Sequence, residues 1–179
     1  MDKQARFTSN GFKLAAVALA LCGAGNAMAA NTATATSTGT VVTPIAITKQ
    51  ADLSFGNIAG GASSGSVTVT PGGTRSAGGG AVLAGGTAGA ARFDVTGSGT
   101  LTYAIDMTGT ATTLASGSDS MAFAAVSDTS ASAKTSGTVA TGALTAGAQS
   151  IYVGGVLTVG INQNAGTYTG NIAVAVNYN

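Results

Sequence analysis

The chain ends in Thr167-Tyr168-Thr169-Gly170-Asn171-Ile172-Ala173-Val174-Ala175-Val176-Asn177-Tyr178, followed by Asn179. Tyr168, Ile172, Val174, Val176 and Tyr178 fall on one face with Gly170 among them, while Thr167, Thr169, Asn171, Ala173, Ala175 and Asn177 take the other. Successive side chains of a β-strand point to opposite faces. A period of two held over about eleven residues therefore predicts a half-buried strand in a two-sheet sandwich.

Working back from this end, the same signature recurs. Ile151, Val153, Leu157 and Val159 form a long strand interrupted at Gly154-Gly155, where paired glycines predict a bulge or a switch between sheets. Met121 and Phe123 mark another strand. Leu101, Tyr103, Ile105 and Met107 lie on one face of a further one, with Asp106 outward, and Phe93 and Val95 alternate with solvent-facing Arg92, Asp94 and Thr96. Val67 and Val69 form a run that stops at the turn signal Pro71-Gly72-Gly73; Leu53 with Phe55, and Ile45 with Ile47, precede it. Residues 71–90, rich in glycine and poor in apolar bulk, predict a long loop, and Ser127 to Gly142 a second. Nothing shows the 3.6-residue spacing of an amphipathic helix. The expected fold is all-β, an immunoglobulin-like antiparallel β-sandwich. A transmembrane barrel would need strands of about ten residues with aromatic girdles, and only seven aromatics follow residue 30.

The first residues follow the secretory plan. Lys3, Arg6 and Lys13 make a basic region, Leu14 to Leu21 an apolar one, and Ala27-Met28-Ala29 a small-residue cleavage site. The apolar run is shorter than the roughly 20 residues of a membrane helix. The expected organisation is a signal peptide at 1–29, an N-terminal arm or first strand at 30–43 and a sandwich domain at 44–179. The expected location is outside the cytoplasm: periplasm, cell surface or extracellular. Cys22, the single cysteine, belongs to the leader, so the mature chain has neither a disulfide framework nor a thiolate metal site.

Beyond residue 29, Lys49, Arg75, Arg92 and Lys134 face Asp52, Asp94, Asp106, Asp119 and Asp128. The near-zero balance lacks the basic footprint of nucleic-acid binding. So small a charge on a Gly, Ala, Ser and Thr surface favours self-association. There is no His, Glu or Trp, which removes His-based triads, imidazole-bound zinc and His proton transfer. The aspartates are scattered, none in calcium-loop spacing. An approach of Asp119 to Asp128 in the fold is conceivable, and solvated loop carboxylates are the plainer account. Lys134 with a serine would make a nominal Ser-Lys dyad, but no Ser-x-x-Lys sits in a helical context. Tyr103, Tyr152, Tyr168 and Tyr178 suit core packing better than a ligand site. No catalytic residue, cofactor or metal is expected, and no enzyme.

Val153-Gly154-Gly155-Val156-Leu157-Thr158-Val159, Gln163, Gly166-Thr167-Tyr168-Thr169-Gly170 and the ending Val174-Ala175-Val176-Asn177-Tyr178-Asn179, with Leu53-Ser54-Phe55-Gly56-Asn57-Ile58 near the start, resemble the secreted bacterial family known as domain of unknown function forty-four-oh-two. The Gly-x-Tyr-x-Gly ending with alternating valines also resembles the last strand of chaperone-usher pilins and spore-coat-U-like subunits. That second resemblance implies an incomplete sandwich whose groove is filled by the N-terminal extension of the next subunit, a periplasmic chaperone lending the strand beforehand. Ala30 to Val42 would then be the donor arm, with Ala33, Ala35, Ser37, Gly39 and Val41 alternating with threonines, and the groove edge would include Tyr168, Ile172, Val174, Val176 and Tyr178. The arm's small side chains bury little apolar area.

The expectation is a non-catalytic secreted or cell-surface structural subunit, pilin-like and assembled by strand donation. The alternative is a monomeric secreted binding module whose loops, at 71–90 or 127–142, meet an unknown ligand. An unusual hydrolase resting on Asp and Tyr is the remaining class.

Overall fold

The bulky alternating pairs organise the molecule. Val67 with Val69, Phe93 with Val95, Ile151 with Val153 and Leu157 with Val159 are all buried, because a strand that presents one apolar face removes it from water by laying it against a second layer. The computed structural model describes residues 31–179; the expected signal peptide and Ala30 lie outside the described residues. Residues 40–179 form one unit. Its strands, in chain order, are β1 (Ala46–Ala51), β2 (Ser54–Phe55), β3 (Ile58–Ala59), β4 (Gly65–Val69), β5 (Arg75–Gly79), β6 (Val82–Leu83) and β7 (Ala88–Gly89). They continue with β8 (Ala91–Thr96), β9 (Thr102–Asp106), β10 (Thr113–Ser116), β11 (Asp119–Asp128), β12 (Thr141–Ala143), β13 (Ala148–Val159) and β14 (Ala175–Tyr178). All pairings are antiparallel and the described residues contain no helix, so the all-β class holds.

The longest strand, β13, is the axis of a seven-stranded sheet. One of its edges pairs with β11 from Tyr152 to Leu157. The other pairs first with β8, over Ala148 to Val153, and then with β4, over Gly155 to Val159. The exchange of partners falls at Gly154-Gly155. The paired glycines thus mark a change of neighbour inside one sheet, and the strand itself runs on unbroken. Crowding explains why they are glycines: a Cβ at Gly154 would run into the Val69 carbonyl oxygen, and one at Gly155 into the Phe123 ring. β1 extends the sheet beyond β8, β5 beyond β4 and β10 beyond β11. A second sheet runs β12-β9-β14.

The layers enclose two adjoining cores. Phe93, Val95, Ile151 and Val153 pack with Tyr103 and Ile105 of the second sheet. Val67, Val69, Phe123, Leu157 and Val159 pack instead under Phe55, Ile58, Tyr168 and Ile172. The three-stranded sheet covers only the first core; β2–β7, β3–β6 and the stretch before β14 cover the second.

Three expectations are corrected. Residues 71–90 are not one loop: they hold β5, β6 and β7, and β5 forms because its backbone completes β4 along Arg75 to Gly79, with no need for bulky side chains. The Ser127–Gly142 loop is shorter than expected, since Ser127 and Asp128 end β11 and Thr141–Gly142 begin β12. The final strand is laddered only from Ala175 to Tyr178. Its inside-outside alternation nevertheless runs from Ile172 to Tyr178, because residues 169–173 turn from β9 to run beside residues 110–115.

Candidate assembly cleft

A cleft of about 920 Å³ lies over the second core. One wall is residues 52–60, the other residues 163–172, and the floor is Leu114, Met121, Phe123, Leu157 and Val159. The floor exists because the apolar faces of β11 and β13 continue past the end of the second sheet.

The first wall is held by Arg75. Its Nη1 donates to the carbonyl oxygens of Phe55 at 2.7 Å and Gly85 at 3.1 Å, so a guanidinium pins two turns at once. Gly56, at φ 68°, lies so close that a Cβ there would strike Arg75 Nη1. The Asn57 N–H donates to the Gly85 carbonyl at 3.0 Å and its carbonyl accepts from Ala84 at 2.9 Å. Phe55 meets Phe123 edge to face, with ring centroids 6.1 Å apart. The stretch Leu53 to Ile58 is therefore a wall built on a cation and an aromatic pair.

The second wall is fixed at Tyr168. Its hydroxyl donates to the Asn164 carbonyl at 2.8 Å and accepts from Gln163 Nε2 at 2.8 Å, while Gln163 Oε1 accepts from the Gly160 N–H at 3.1 Å. Thr169 exchanges both backbone hydrogen bonds with Ala115, and the Asn171 carbonyl accepts from Ala111. The intervening residues face the other way: among the described residues, the N–H and C=O groups of Tyr168, Gly170 and Ile172 have no backbone partner. The walls part and meet again. At one end Leu53 and Ile172 pack into both cores; at the other, the Asn162 N–H donates to the Gly61 carbonyl at 3.0 Å.

Of the residues singled out in the sequence, Tyr168 and Ile172 line this cleft. Val174, Val176 and Tyr178 pack against the first core instead. Val41 is 99% exposed, and residues 31–45, Ala33 and Ala35 among them, lie in no strand. Sequence reasoning missed Phe55, Met121, Phe123 and Asn57 as cleft residues; the only signal was the Leu53–Ile58 stretch that carried the family resemblance.

The remaining polar groups are tied locally. Asp119 and Asp128 do not approach each other: they are the two ends of the ten-residue β11, about 30 Å apart at strand rise. Asp119 accepts from Asn164 Nδ2 at 3.0 Å. Asp128 accepts from the Ser132 hydroxyl at 2.7 Å and the Thr129 N–H at 2.7 Å, which with nearby Lys134 hold its carboxyl below the usual range. Lys134 Nζ donates to the Ser127 carbonyl at 3.1 Å, not to the hydroxyl, which is buried and accepts the Val139 N–H at 2.9 Å. Asp94 is held low chiefly by the Ser150 hydroxyl at 2.7 Å, and also by Arg92. Burial pushes the Tyr103 hydroxyl up. Among the described residues no three His, Cys, Asp or Glu side chains gather as a metal site would require, and no helix is long and apolar enough to cross a membrane.

Neither a curated protein nor a solved structure matches the chain. The family comparison agrees with the distribution of the structured residues: a model matches residues 45–178, from the residue before β1 to the last residue of β14. The chain belongs to the family described as Domain of unknown function (DUF4402).

Proposed function

We propose that this is a non-catalytic structural subunit, exported from the cytoplasm, whose copies assemble by donating an N-terminal strand into the cleft between residues 52–60 and 163–172. The observation that carries this reading is the backbone edge of Tyr168, Gly170 and Ile172, whose N–H and C=O groups have no backbone partner among the described residues, beside an apolar floor. An edge of this kind is a template for an added strand, with main-chain hydrogen bonds giving affinity and alternate side chains giving fit.

The donor arm's small side chains suit the site. Met121, Phe123, Leu157 and Val159 are already buried, so the cleft is shallow, and Ala33, Ala35, Ser37 and Gly39 need little depth. Nine residues from Ala33 to Val41 extend over about 30 Å, more than enough to run along the edge from Tyr168 to Ile172, about 13 Å at strand rise. A periplasmic chaperone that lends a strand would protect the same edge before assembly.

The test compares the mature protein from Ala30 with a form lacking Ala30 to Val42, by light scattering and an unboiled detergent gel. Arm-dependent, detergent-resistant oligomers are the expected result, lost on truncation and blocked when excess arm peptide fills the clefts first. A full-length monomer whose size the peptide leaves unchanged would overturn the reading and favour a monomeric binding module that uses the cleft for a ligand.

A further inference from the structure

Among the described residues the exposed large apolar side chains gather at two ends. Val41 and Val42 stand at the root of the arm, with Leu101 in the turn after Ser98 at the same end; Val82 and Leu83 of β6 and Ile161 in the turn after β13 stand at the other, Ile161 being 62% and Val82 59% exposed. These last segments adjoin because Ile58 and Ala59 pair with Leu83 and Val82, and the Gly61 carbonyl accepts from Asn162. The two places are at opposite ends of the longest strand. The arm root is tied at Thr43 to Tyr178, beside the Ser98 turn where β8 ends and β13 begins. The Val82–Ile161 tip lies where β13 finishes at Val159. Eleven steps of strand separate them, about 36 Å.

We infer that the Val82, Leu83 and Ile161 tip of one copy receives the Val41-Val42 root of the copy that donates its arm, an inference that rests on the strand-donation reading. Every strand pairing among the described residues is antiparallel, and an arm added antiparallel to residues 168–172 runs toward the end of the cleft at Gly60 and Gln163, which is the tip. The donor then leaves the cleft at the tip, over the Asn162–Gly61 hydrogen bond that joins the walls there, with Val41 emerging beside Ile161. Residues 53–74, 76–91 and 135–179 contain no charged residue, so little electrostatic repulsion opposes an apolar contact. The surfaces differ and lie at opposite ends, so the contact is head-to-tail and propagates as an open chain.

The mature chain has no cysteine, which makes cross-linking clean. Val41→Cys and Ile161→Cys variants are mixed and treated with a short bis-maleimide. The expected product is the mixed dimer, absent from either variant alone, and Ile161→Lys weakens association about tenfold. A native gel ladder with no mixed dimer would overturn this inference and leave strand donation standing. Self-linking of Ile161→Cys alone would replace it with a two-fold contact. Absence of both ladder and dimer would remove both readings. Circular dichroism of each variant verifies the fold.

Discussion

The Tyr178 hydroxyl donates a hydrogen bond at 2.9 Å to the carbonyl oxygen of Thr43, 135 residues earlier in the chain, and accepts one at 2.7 Å from the Ser98 N–H. One side chain of the last strand thus fixes where the arm leaves the sandwich and holds the turn after β8. Gly97 is part of the same joint, since a Cβ there would run into the hydroxyl.

Tyr178→Phe removes both bonds and keeps the ring packed. At about 1 kcal/mol for each net hydrogen bond, the variant is expected to lose about 2 kcal/mol in urea denaturation. Hydrogen exchange at the Ser98 amide should rise at the same time; protection equal to the parent's would show that the bond contributes nothing.

The glycines of β13 make a sharper contrast. Gly154→Ala or Gly155→Ala places a methyl against the Val69 carbonyl or the Phe123 ring inside packed sheet. Overpacking there is expected to cost about 3 kcal/mol or more. Gly89→Ala, at a β7 position where a Cβ meets nothing within 4 Å, serves as the control and should be within about 0.5 kcal/mol of the parent. Equal midpoints for the three variants would contradict the close approach.

Arg75 is expected not to tolerate lysine. Both bonds, to Phe55 and Gly85, leave the one Nη1 nitrogen, whose two hydrogens are fixed in the guanidinium plane, and the rotating ammonium of a lysine side chain has no such fixed pair. Arg75→Lys should lose about 2 kcal/mol, within the range for hydrogen bonds to charged groups, and limited proteolysis should appear first in residues 53–60 and 82–89. Unchanged stability together with an unchanged cleavage pattern would free the first wall from dependence on Arg75.

Much of this fold is legible in the sequence, and the illegible parts share a cause. β4, β8, β11 and β13 carry Val, Ile, Leu or Phe on one face, and their alternation predicts both strand and facing. β5, with Arg75-Ser76-Ala77-Gly78-Gly79, carries almost no apolar bulk; it is a strand because β4 offers it an edge, a property of the neighbour and not of its own residues. The last segment shows the converse. Its pattern from Ile172 to Tyr178 is that of a single strand, yet β9 ends at Asp106, and no pattern in residues 167–174 announces that their partner becomes the 110–115 stretch. The cleft is legible only in part for the same reason: Tyr168 and Ile172 alternate visibly, whereas Phe55 and Phe123 become its wall and floor because the second sheet stops short of them.

The acid response follows from three carboxyls. Asp94 is held low by Ser150 and Arg92, Asp106 by the hydroxyl and N–H of Thr108, and Asp128 by Ser132 with Thr129 and Lys134. In each the folded state favours the ionised form, so the stability they confer is present above the ordinary aspartate range, near pH 4, and is lost as pH falls through the lowered values. The chain has no histidine, so no side chain of that kind titrates between pH 5 and 8. The melting temperature is therefore expected to be flat from pH 5 to 8 and to fall below about pH 4. Asp94→Asn should flatten part of that fall. Asp106 is exposed and Asp94 and Asp128 are half-buried, so solvent screens each group, the decline is gradual, and added salt reduces the part due to Arg92 and Lys134. A melting temperature that rises on acidification from pH 5 to pH 3 would show that the protonated carboxyls are the ones the fold prefers.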